Sequence, residues 1–245
     1  MKFYPIFWRE MLVWKREFKK AFLSNLIGPL LYLVTFGWGL GRRIPIEGVN
    51  YLDFVVPGII ALASLNTSYN SISSDLNIRR ILYRTFEQYV MAPIGIGSVV
   101  TGEVLAGTVR GLFACLVVMG LGFAFGAELH YSLSFFIILF FSCFTFSSLG
   151  VIAAMYNNTH RDMATFSTLF IMPMSFLAGT FFQVNHLPSL VKYIIYCLPL
   201  TPTSISLRGL AMGNAVSSLA LLGVIIWSVL MFFGALWVTE WKYAD

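Results

Sequence analysis

Glu103, Gly107 and Arg110 fall at i, i+4 and i+7 in the apolar run 97–125, on one face of a helix. A charge at the centre of a spanning helix costs about 2.5–3.5 kcal/mol on insertion scales. An acid and a base with a glycine between them therefore do not face lipid. They bond within a helix bundle or snorkel from a rim, in a structural role or a transport role. The second set of interest lies in residues 75–92, DLNIRRILYRTFEQYVMA. Ile78, Ile81, Leu82, Phe86, Tyr89 and Val90 form one helical stripe, and Asn77, Arg80, Arg84, Glu87 and Gln88 occupy the other face. Pro93, then Gly95 and Gly97, end the helix. Such a helix either shows Arg80, Arg84 and Glu87 to another protein or is a solvated loop helix with no partner.

Other chemistry is missing from the pattern. There is no GxxxxGK[ST] loop to cradle a phosphate, no HExxH, no GxSxG and no paired carboxylates at helical spacing. His130, His160 and His186 stand apart, as do Cys115, Cys143 and Cys197, so no metal site or structural disulfide is expected and each cysteine reads as a small buried hydrophobe. The chain is expected not to be an enzyme and to bind no cofactor of its own.

What must position these residues is a membrane domain. The 245 residues are 58% hydrophobic and 11% charged, with a mean hydropathy of +0.79. A soluble domain carries about 25% charged residues, so much of this chain meets lipid. A spanning helix needs about 20 apolar residues. Six such segments are expected, at 21–41, 52–74, 97–125, 132–155, 163–182 and 216–239. The fold class is all-α integral membrane. Residues 1–20 read as a basic amphipathic interfacial helix, with Phe7, Met11, Trp14 and Phe18 on its apolar face; its charged region is too long for a cleaved signal peptide. Gly28-Pro29 should loosen the first span, and Gly37 and Gly41 make a GxxxG. The second span is interrupted by Pro57-Gly58, and its later half is polar: Ser64, Asn66, Thr67, Ser68, Asn70, Ser71 and Ser73. These side chains need partners or water at membrane depth, either in helix–helix hydrogen bonds or along a pathway. The fifth span breaks at Pro173. Residues 183–215 are too broken to span and too apolar for a free loop, and read as two short helices dipping into the outer leaflet.

The basic residues fix an orientation. Lys2, Arg9, Lys15, Arg16, Lys19, Lys20, Arg79, Arg80, Arg84, Arg161 and Lys242 fall on one side, against Arg42, Arg43, Lys192 and Arg208 on the other. The positive-inside rule then puts both termini in the cytoplasm. The net charge of +5 is explained by that face, without nucleic acid. Asn157-Asn158-Thr159 fits a glycosylation sequon but lies on the cytoplasmic side. With no energy source of its own, a chain of this kind is either part of a larger transporter or a stand-alone ion-coupled carrier. No internal repeat of the carrier kind is visible.

An ordered set of motifs favours the first of these. Tyr32-Leu33-Val34 runs to Phe36-Gly37-Trp38-Gly39-Leu40-Gly41; Tyr51-Leu52-Asp53-Phe54 leads to Pro57-Gly58; Arg84-Thr85-Phe86-Glu87 is followed by Gly102-Glu103. Met172-Pro173, Phe176-Leu177-Ala178-Gly179-Thr180-Phe181-Phe182, Leu187-Pro188, Leu198-Pro199-Leu200-Thr201 and Arg208 follow in turn. Over nearly its whole length the chain resembles the membrane (permease) subunits of type-2 bacterial ABC exporters. Within them it is most like the permeases that export nodulation lipo-oligosaccharides, with polysaccharide and drug exporters more distant. Gln183-Val184 departs from the proline that many members carry there. The resemblance implies an inner-membrane homodimer, working with separate cytoplasmic ABC ATPase chains that bind the ATP and Mg. It implies that 75–92 is the coupling helix, with Arg79, Arg80, Arg84 and Glu87 toward the ATPase. It also implies an external gate after the fifth span, with Phe181, Phe182, Pro199 and Pro202 as its candidates. Tyr32, Phe36, Trp38, Asn66 and Asn70 are candidates for the substrate path; the aromatic three also suit plain anchoring in the interface.

Overall fold

The computed structural model of the chain describes residues 3–35, 50–83, 86, 89, 94–177, 179–180, 188–214 and 216–243. Every regular element among them is a helix: α1 Tyr4–Arg16, α2 Phe18–Tyr32, α3 Tyr51–Ile81, α4 Ile96–Ala124, α5 Leu133–Tyr156, α6 His160–Phe166, α7 Met172–Leu177, α8 Ser189–Tyr196, α9 Leu200–Ala211 and α10 Ser218–Tyr243. Among the described residues four helices are long and apolar enough to cross a membrane: α3, α4, α5 and α10. The expected first and fifth spans each run into residues outside that set.

The bundle is built around α3, which packs on α4 and α5, with α10 outside α5. Within their apolar windows 78% of α3 but only 17% of α10 is buried by the rest of the chain. That difference explains why α3 is the least apolar of the four and α10 the most: a helix shielded by protein can carry hydroxyls and amides, whereas one facing lipid cannot. Helix α4 runs antiparallel to α3 and presents small residues to it. A Cβ at Gly107 would stand 2.5 Å from Ile72 Cγ1, one at Gly111 would collide with Ser68 Oγ, and one at Gly122 would stand 2.7 Å from Val56 Cγ1. These three positions let the two backbones approach closely.

Several expectations are corrected. Helix α3 is not interrupted at Pro57-Gly58 and does not stop near residue 74; it runs unbroken to Ile81. The expected coupling helix therefore starts inside the second span's own helix. The irregularity in the fifth span is not at Pro173 but just before it, where Ser167–Ile171 widens into a π-helix. Proline crowds the carbonyl four residues back, here Leu169, and the wider turn makes room for it. The two short helices expected within 183–215 are present as α8 and α9, separated at residues 197–199, and Pro202 sits in the first turn of α9, the one turn that needs no donor from it. Residues 240–243, expected beyond the last span, continue α10. Cys115 and Cys143 are buried, but Cys197 is exposed in the turn between α8 and α9.

Candidate functional site

Six charged groups meet where α1, α3 and α4 come together. Glu103 accepts a two-pronged bond from Arg79, at 2.9 and 3.0 Å. Glu10 of α1 bridges Arg79 at 2.7 Å and Arg110 at 2.9 Å. Arg110 reaches on to Asp75 at 3.2 Å. Arg9 touches Glu10 at 3.2 Å from the outside and donates to Tyr89 Oη at 2.6 Å; burial raises the Tyr89 phenol's pKa, and the Arg9 charge partly opposes that. Three carboxylates thus face three guanidiniums, which is how charge is carried inside protein without a net penalty for an unpaired ion.

Glu103 and Arg110 are both buried, yet they are not a pair. Each bonds to a residue of another helix, because positions two turns apart on one helix lie about 10 Å apart along its axis. The member that sequence reading missed is Glu10. It is 2% exposed and, with Ile6, forms the inner face of α1. Of the expected apolar stripe, Trp14 and Phe18 pack on Phe113 of α4, while Trp8 and Leu12 are exposed. The one available signal was an acid at position 10, four residues after Ile6, in a helix otherwise rich in bases. Gly102 accepts the close approach of α1, since a Cβ there would stand 3.0 Å from Ile6 Cβ.

The same cluster closes one end of a cleft of about 550 Å³ between α2 and α3. Its α3 wall runs from Ile59, Leu62 and Ala63 through Asn66, Thr67, Asn70 and Ser71 to Asp75, with Arg110 beside it; Asn25 and Tyr32 stand on the α2 side. Residues 59 to 75 cover about 24 Å of helix. The lining is therefore apolar at one end, amide and hydroxyl in the middle, and charged at the other. Thr67 Oγ1 donates across it to Asn25 Oδ1 at 3.3 Å. The polar half of α3 divides by face. Ser64 bonds Ser142 of α5 at 2.8 Å and Tyr69 bonds Ser167 at 3.1 Å, while Asn66 and Asn70 line the cleft. Helix–helix glue and a pathway-like wall are thus both present, on different sides of one helix.

Residues 1–212 match the family model described as ABC-2 type transporter. The chain is 30% identical to Nodulation protein J of Rhizobium meliloti (strain 1021), over 84% of this chain and 79% of that protein. It is 28% identical to Nodulation protein J of Neorhizobium galegae, over 92% and 87%, and 24% identical to the inner membrane transport permease YadH of Escherichia coli (strain K12), over 92% and 91%. The chain belongs to the ABC-2 type transporter family. It is a multi-pass membrane subunit of that class.

In this ABC-2 permease the expected coupling residues are distributed unequally. Arg79 and Arg80 are turned inward, each 9% exposed, which corrects the expectation that they face a partner. Arg80 bonds the Met155 carbonyl, the Asn157 carbonyl at 2.5 Å and Asn158 Oδ1 at 3.2 Å. It thereby caps the end of α5, where a cation suits the helix dipole. Asn157, the sequon asparagine, is buried and donates to the Ala153 carbonyl at 2.8 Å. Arg84 and Glu87 lie outside the described residues, as do Phe36, Trp38, Phe181 and Phe182.

The opposite end of the permease is held by Arg208. Its guanidinium donates to the carbonyls of Phe54 at 3.1 Å, Gly179 at 3.0 Å and Thr180 at 2.9 Å, and it stacks 3.8 Å from the Phe54 ring centroid. Gly58 admits the backbone of Thr180, which a Cβ would strike. Pro199 and Pro202 are buried there, Pro202 against Gly223 of α10. Beside them Asp53 caps the turn at Glu128 with a 2.9 Å bond, and burial, reinforced by the Asp53 charge, pushes the Tyr131 phenol's pKa up to about 12.

Proposed function

We propose that this permease is the membrane half of an ATP-driven exporter in a bacterial inner membrane and moves an amphiphilic substrate outward, of the glycolipid or lipo-oligosaccharide kind. The observation that carries the substrate class is the graded cleft between α2 and α3. An amphiphile matches such a wall along its length, with its chain against Ile59 and Leu62 and its hydroxyl-rich part against Asn66 and Asn70. Relatives named Nodulation protein J and a transport permease support the same direction. Two copies of the chain and two cytoplasmic ATPase subunits, which bind ATP and Mg, complete the transporter. Both termini and residues 82–93 lie on the cytoplasmic side, and those residues meet the ATPase. Inward-facing Arg79 then serves as the relay from that segment to α1 and α4, with Arg84 and Glu87 left as the contact residues.

The test is transport in vesicles holding the permease with and without its ATPase. Uptake into inside-out vesicles should require nucleotide. Arg84→Glu should abolish it while the permease still folds and inserts. Transport that needs no nucleotide and follows a proton gradient would establish the ion-coupled carrier instead.

A further inference from the structure

The ends of three helices meet: α3 reaches Asn157 and Asn158 after α5 through Arg80, and α10 reaches Asn158 through Lys242. Between the ends of α5 and α10 and the start of α6 lies a second cavity, of about 520 Å³, lined by Tyr156, Asn158, Asp162, Phe170, Trp241 and Lys242 among others. It takes no part in the transport reading. Its charges are unlike those of the α1–α3–α4 cluster. Lys242 Nζ donates to Asn158 Oδ1 at 2.6 Å, and Arg80 donates to the same oxygen at 3.2 Å. Two cations thus converge on one neutral amide oxygen, and among the described residues neither makes an ion pair with a carboxylate. Asp162 lines the same cavity and likewise makes no ion pair among the described residues. A positive group and a negative group across one cavity, neither in an ion pair among the described residues, suit a ligand that carries both signs.

The surroundings say where that ligand comes from. Tyr156, Trp241, Leu169 and Phe170 line the cavity and are exposed. Tyrosine and tryptophan at the ends of spanning helices sit at the head-group level of a bilayer. We propose that this cavity is a binding site for a membrane phospholipid with an ammonium head group, of the phosphatidylethanolamine type. Its phosphate sits on Lys242, backed by Arg80 through Asn158. Its ammonium faces Asp162, and one acyl chain follows Leu169 and Phe170 along the π-helical segment. Phosphatidylcholine, whose quaternary nitrogen cannot donate a hydrogen bond, and phosphatidylglycerol, which has no cation for Asp162, fit less well.

The full-length permease, purified in a mild detergent, is titrated with the three lipids at equal acyl composition and bound lipid is counted by native mass spectrometry. Phosphatidylethanolamine should be retained about two- to fivefold over the others, the range of one exposed ion pair. Lys242→Gln should lower retention of all three lipids, and Asp162→Asn should remove the preference without lowering phosphatidylglycerol. As a readout that leaves both charges in place, quenching of tryptophan fluorescence by bromine-labelled phosphatidylethanolamine should lose a component in Trp241→Phe. Equal retention of the three lipids, or unchanged retention in Lys242→Gln, overturns the site. So does cross-linking between Leu169→Cys copies in vesicles, which would show a second copy of the chain filling the cavity. None of these readouts uses nucleotide or transport, so they stand or fall separately from the exporter reading.

Discussion

At the scale of single residues, Glu10 is the keystone of the charge cluster, because its buried carboxylate bridges Arg79 and Arg110. Removing one partner of a buried ion pair leaves the others uncompensated, at about 3–5 kcal/mol. Glu10→Ala should therefore lower thermal stability in detergent by that order. Arg9→Ala removes a side chain that is 42% exposed and should cost less than about 1 kcal/mol. Equal losses in the two variants would show that Glu10 is not bridging. The cluster also shows what a linear pattern conceals. That Glu103 and Arg110 do not face lipid followed from the cost of charge there, a one-helix argument. Their partners did not, since Glu10, Arg79 and Asp75 come from helices whose relative rotation no spacing rule supplies. The burial of Arg80 has the same origin: in an isolated helix wheel its polar face looks like solvent, and here it is the face of a neighbour.

At the scale of elements, the contact between α3 and α4 depends on absent side chains. Gly107→Val must displace Ile72 and Ser147 Oγ, which a single Cβ would already approach to 2.5 and 2.6 Å. Overpacking of this kind costs about 1–3 kcal/mol, so Gly107→Val should unfold several degrees below the parent in a thermal melt. Gly120→Ala, on the same helix with nothing within 4 Å of its Cβ, should melt within a degree or two of the parent, or slightly above it, since alanine favours helix. The reverse order would refute the close packing. Elements themselves were the most legible part of the chain. Long apolar runs marked α4, α5 and α10 to within a few residues, because burying about 20 apolar residues in lipid outweighs local preference. The failures sit at prolines. Neither Pro57 nor Pro173 interrupts its helix in the expected way, because a membrane helix tolerates proline when neighbours resolve the lost bond. Here α3 runs unbroken through Pro57, and a π-helical turn stands before Pro173.

At the scale of the whole molecule, the cleft and the charge cluster share Asp75 and Arg110, so the site proposed to hold substrate is continuous with the site proposed to receive force. Any motion of α3 relative to α1 and α4 must reorder the ion pairs at one end of the cleft. If the cleft is the path, α2 and α3 must separate during each cycle, and the hydrogen bond from Thr67 to Asn25 across it must open. A disulfide in its place tests this directly. Asn25→Cys/Thr67→Cys, in a background with the three native cysteines replaced, should cross-link in oxidising vesicles. ATP-driven transport should then fall to background and return on adding a reductant. Binding of the ATPase should be unchanged throughout, because the cross-link lies far along α3 from residues 82–93. Full transport in the cross-linked state would move the path away from this cleft, while leaving the membership of the family and the charge cluster as they are.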